Sequence, residues 1–114
     1  MDIAAATQDI VDRLTADGIR AVIDARDANP PCVQVRPPVI SWRFGKGADA
    51  EWTALLMVGD VGTAQALKQL SELVELVQQA LGFAAVNGRP DEAILPDGST
   101  VPVYLLTWNQ RIPA

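Results

Sequence analysis

At 114 residues, with 49% hydrophobic and 20% charged residues, the chain has the size and balance of one folded domain (residues 1–114) and is too short for a second core. Its formal charge of -5, with only nine Lys and Arg placed singly, opposes adhesion to nucleic acid, which requires clustered cations. One cysteine and no histidine exclude an internal disulfide, any multi-cysteine metal site and the commonest acid/base group.

The N-terminal stretch MDIAAATQDIVDRL has neither a basic region nor a continuous apolar run, so no secretory signal is expected and the cytoplasm is the expected compartment. No segment approaches the roughly 18 apolar residues that span a bilayer. Ile3, Ala6, Ile10 and Leu14 recur at helical spacing with Val11 beside them, and Gly18 can stop the turn, which predicts a helix over residues 3 to 16. Ile19 to Asp24, rich in β-branched residues, predicts a first strand that the polar run ARDAN ends.

Next comes NPPCVQVRPP, a strand over Cys32 to Arg36 between two proline pairs. Cys32, Gln34 and Arg36 share one face and Val33 and Val35 the other. Proline has no N–H for a sheet ladder and holds the preceding residue extended. Pro30 and Pro31 are therefore expected to deliver the chain already stretched. Pro37 and Pro38 are expected to stop the pairing, hold a turn and keep a short edge strand from adding further strands. Residues 39 to 44 (VISWRF) and 51 to 60 (EWTALLMVGD) predict a hairpin across the glycine-rich break GKGADA, and the run ALLMV predicts a central strand covered on both faces.

Thr63 can cap and Gly82 can stop a second helix, TAQALKQLSELVELVQQAL, with Leu67, Leu70, Val74, Val77 and Leu81 in one stripe. Ala66, Leu73, Leu76 and Ala80 widen that stripe beyond the arc of about 100° that one sheet covers, which implies a second packing partner. Turn signals at Asn87-Gly88 and Asp97-Gly98 then bracket a terminal hairpin of residues 92–95 and 101–108. In its second strand Tyr104, Leu106 and Trp108 oppose Val103, Leu105 and Thr107. The expected fold is α+β, two helices packed on a mainly antiparallel sheet.

The sequence carries no complete catalytic motif. GKG and GDVGT lack the spacing of a phosphate loop, and Asp60 would repel an anion at the second. Cys32 has no histidine to deprotonate it. Asp24, Asp27, Asp60, Asp91 and Glu92 could supply a carboxylate pair only if folding joined two of them. DARDAN suits ion pairs between subunits as well as plain solvation. Trp42, Trp52 and Trp108 suit the core, or a subunit contact with Arg43 and Arg111 near in sequence. No catalytic residue, metal ligand or cofactor site is assigned.

The order of elements resembles the tail terminator family of long-tailed bacteriophages, particularly those of actinobacterial phages. The likeness rests on the N-terminal helix, R-D-x-N-P-P followed by V-x-V-x-P-P, the VISWRF and EWTALLMVGD hairpin, the leucine-rich helix ALKQLSELVELVQQALG and the closing VPVYLLTW strand. It implies a virion structural protein with no catalytic residues and no membrane contact, present in host cytoplasm before assembly. Such a protein forms a ring, expected to be a homohexamer, that caps the tail tube, ends its polymerisation and meets a head-tail connector or neck protein. DNA would pass through without sequence-specific binding, which suits an acidic chain. Arg26, Asp27 and Asn29 are the candidate ring contacts, with Trp52 and Asp60 as further candidates. A head-closure or other neck protein is the near alternative; a small ligand-binding domain or enzyme using the acids is another.

Overall fold

Asp2 begins the first helix by accepting the Ala5 amide at 2.9 Å, a cap of the kind worth about 1 kcal/mol. In the computed structural model, which describes residues 2–42, 47–59, 62–82 and 87–112, this helix is α1 (Ile3–Ala16). Ile10, Val11 and Leu14 are its buried stripe. Gly18, at φ 81°, closes its end with the Gly18 amide on the Thr15 carbonyl and the Ile19 amide on the Leu14 carbonyl.

The chain then forms β1 (Ala21–Val22), a 3-10 turn (Ala25–Asp27), β2 (Cys32–Val35), β3 (Val39–Trp42), β4 (Ala48–Met57), α2 (Thr63–Leu81), β5 (Asn87–Ile94) and β6 (Thr100–Ile112). These six strands make one sheet in the order β1-β2-β4-β6-β5, with β3 also on β4. All pairs are antiparallel except β1 with β2. The fold is therefore α+β with a mixed sheet, and β4 is its centre, buried without a break from Ala54 to its end at Met57.

Both helices lie over the same face of the sheet. Val33, Val35, Trp52, Ala54, Leu56, Leu106 and Trp108 meet Ile10, Val11 and Leu14 of α1 and Ala66, Leu70 and Val77 of α2 in the main core. α1 also packs on α2, so the wide apolar arc of α2 serves two neighbours. On the opposite face Cys32, Leu55, Met57, Val101, Val103 and Leu105 form a smaller core, closed by Ala28, Ala93 and Leu95. Alternation along β4 and β6 separates the two sets, as the pleat requires.

The two proline pairs act differently from expectation. β2 is not an edge strand: β4 pairs along one side of it and β1 along the other. Pro37 and Pro38 do not end the pairing either. The Arg36 amide still bonds the Thr53 carbonyl at 3.0 Å, and Val39 resumes opposite Glu51. Both prolines thus stand against the single residue Trp52, a β-bulge that needs no proline N–H and joins β2 to β3 along one side of β4. The first pair carries a cis peptide between Pro30 and Pro31.

Four boundaries also move. The first strand shrinks from Ile19–Asp24 to Ala21–Val22, because Asp24 turns its carboxylate onto the Arg26 amide and starts the 3-10 turn. β4 begins at Ala48, so the Ala-Asp-Ala of the expected break is strand. Gly62, at φ 88°, holds the N-cap position of α2 in place of Thr63, and no side chain caps there. Asn87 and Gly88 lie inside β5, paired with Thr107 and Leu106, instead of forming a turn. Long pairing to β6 outweighs the local turn preference. The Asp97-Gly98 turn is present: the Gly98 amide bonds the Leu95 carbonyl at 2.9 Å, and the Asp97 carboxylate accepts from the Ser99 amide and hydroxyl.

Candidate functional site

The sheet is longer than the helices that cover it. The molecule measures 49 × 27 × 25 Å, and apolar side chains remain exposed where helix cover ends. Trp42 is 70% exposed and Ile94 78%, while Leu67 and Leu76 of α2 are about half exposed; Val39, 67% exposed, stands on the opposite, helix-free face with Glu51. Leu67 and Leu70 of α2 face Tyr104 of β6 and Pro90 of β5 across a cleft of about 360 Å³. Glu92 lines its rim, while the Asp91 side chain alternates onto the opposite face. The cleft exists because β5 lies at the sheet edge beyond the reach of α2, so its inward-facing residues find no partner in the fold.

A second, polar hollow of about 350 Å³ lies on the helix-free face, where Thr53, Thr107 and Asn87 form one row across three strands, Arg36 just past β2 extends it, and Arg89 and Glu51 stand beside it. This row continues the smaller core into solvent, and among the described residues no ion pair joins its charged groups.

The candidate ring contacts divide clearly. Arg26, Asp27 and Asn29 are all exposed on and after the 3-10 turn. Arg26 is engaged within the chain: its guanidinium donates to Asp24 at 2.7 and 3.0 Å. That bond holds the Asp24 carboxyl down to about 2 and raises the guanidinium's own pKa. Asp24 is thus committed as a cap and ion-pair partner, which weakens the case for acid/base work at DARDAN. Trp52 is overturned as a contact residue, since it is 1% exposed in the main core, packed against Trp108. Asp60 lies outside the described residues, as does Arg43.

Burial raises the pKa of the Cys32 thiol, which sits 3.9 Å from the Met57 sulfur. It is a core group. Among the described residues no three His, Cys, Asp or Glu side chains come together as a metal site would need. Among them, too, no helix is long and apolar enough to cross a membrane.

Sequence reasoning picked out Trp42 as one of three tryptophans and Leu67 and Leu76 as parts of an over-wide stripe. It missed the cleft beside Tyr104, because the Asn87-Gly88 turn signal puts the start of that strand at residue 92, whereas its pairing with β6 begins at Asn87. No protein-family model, curated protein or solved structure matches the chain.

Proposed function

We propose that this chain is a structural assembly protein of the tail-terminator kind, whose copies form a ring that caps a phage tail tube and meets a neck protein. The observation that carries the reading is unsatisfied apolar surface at two separate places, Trp42 at the end of β3 and Leu67 with its cleft on α2. A ring requires two different surfaces on each subunit, related by rotation, whereas a two-fold dimer needs only one. The acidic total supports passage of DNA through such a ring without retention. The exposed turn carrying Asp27 and Asn29 is available to the same contacts.

The test is native mass spectrometry and negative-stain imaging of the purified protein, alone and with its tail tube protein. Six-fold rings, or tubes of limited length with a cap at one end, are the expected result. Rings that bind a head connector and ignore tubes would move the assignment to a neck protein. A strictly monomeric protein that leaves tube growth unchanged would overturn it.

A further inference from the structure

The cleft beside α2 runs past Ala66, Leu67 and Leu70 on one wall and Pro90, Pro102 and Tyr104 on the other, and continues along the helix to Val74 and Glu75. Its described lining presents the acids Glu92 and Glu75 and no basic side chain, while Asp91, opposite Val103, alternates onto the other face. An occupant should therefore be apolar and carry positive charge.

One segment of the chain has that chemistry. Trp42 ends β3 paired with Ala48 of β4, which pairs in turn with Ile112 of β6. Cross-strand partners share a face, and Ala50 and Trp52 place this row on the helix-covered side, so Trp42 projects there beyond the helices. The four residues after it in sequence include Arg43 and Lys46. The nearby acids Asp49 and Glu51 alternate onto the opposite face.

The indole cannot reach the cleft of its own chain. Ile112 is eight residues further along β6 than Tyr104, which is roughly 27 Å at about 3.4 Å per residue. We propose that Trp42 of one copy inserts into the α2–β5–β6 cleft of a second copy, with Arg43 and Lys46, which follow it in sequence, supplying charge that complements Glu92 and Glu75. The contact is head-to-tail, because knob and cleft are different patches at opposite ends of the sheet. It deepens the ring reading and rests on it for closure, since such contacts otherwise continue as open chains.

The experiment is sedimentation velocity on the intact chain and two variants, Trp42→Glu and Leu67→Glu, with circular dichroism as the folding check. Both positions are more than half exposed, so both variants should fold. Wild type should self-associate, and each variant should weaken association by tenfold or more, as loss of an interface anchor does. The decisive arm mixes the two variants. Leu67→Glu retains its Trp42 and Trp42→Glu retains its cleft, so the mixture should form a one-to-one dimer and stop there.

A mixture that stays monomeric, variants that associate like wild type, or a wild type that remains monomeric would overturn the proposal. Failure of the ring reading looks different: the mixed dimer forms, yet wild type makes open chains or leaves tubes uncapped. Conversely, rings that persist in both variants would sink this contact and leave the ring reading standing.

Discussion

Trp52 on β4 and Trp108 on β6 are direct cross-strand partners, with ring centroids 6.3 Å apart and planes inclined by 16°. They are 1% and 2% exposed, and together they form the floor on which α1 and α2 rest. Trp52 also faces the proline bulge on its other side, so it is the point where β2, β3, β4 and β6 are held in register.

Trp108→Ala should therefore destabilise the fold by about 3–5 kcal/mol, the usual cost of emptying a large aromatic site. Trp52→Phe should cost less than Trp52→Ala, because phenyl keeps most of the packing and removes an indole N–H that has no hydrogen-bond partner among the described residues. Urea unfolding of the three variants would check the order. Equal losses for Phe and Ala at position 52 would show that a phenyl ring recovers none of the packing.

The Asp24–Arg26 pair makes a pH-dependent statement. The Arg26 guanidinium lowers the Asp24 carboxyl to about 2 in the folded chain, below its ordinary value of 3.8. The stabilisation is thus complete above about pH 4 and disappears as pH falls toward 2, when the carboxylate protonates. Arg26→Ala should return the Asp24 titration toward its ordinary range in a carbon-detected NMR titration. Both groups face solvent, so the thermal midpoint at neutral pH should move little.

Cys32 is buried beside Met57, and burial raises its thiol pKa. Native protein should therefore resist a thiol reagent such as Ellman's at pH 8 and react fully only when unfolded. Cys32→Ser should be destabilised by about 1–3 kcal/mol, because a hydroxyl would be placed among Leu55, Met57 and Val103. Rapid labelling of the folded chain would contradict this placement.

Asp27 is exposed at the end of the 3-10 turn. Asp27→Lys should leave the unfolding midpoint unchanged and weaken ring formation, read by size-exclusion chromatography. Unchanged assembly would remove DARDAN from the ring contact and leave Trp42 and the α2 cleft as the surfaces to test.

Local physics made much of the architecture readable in advance. The bounds of α1, the length of α2 with its Gly82 stop, the buried centre of β4 and the two faces of β6 follow from periodicity and capping, which depend on near neighbours in sequence. The β3–β4 hairpin and the Asp97-Gly98 turn were legible for the same reason.

Only the tertiary structure decided the rest. Whether β2 lies at an edge depends on β1, whose residues pair with partners twelve positions later, adding two residues in parallel. The bulge at Pro37 and Pro38 shifts the alternation by one residue and so sets the face on which Trp42 emerges, a result fixed by pairing to Trp52 and not by proline itself. Asn87-Gly88 became strand because β6 offered it a long partner. Composition and periodicity could mark Trp42, Trp52 and Trp108 as large apolar side chains; long-range pairing buried two and left the third exposed.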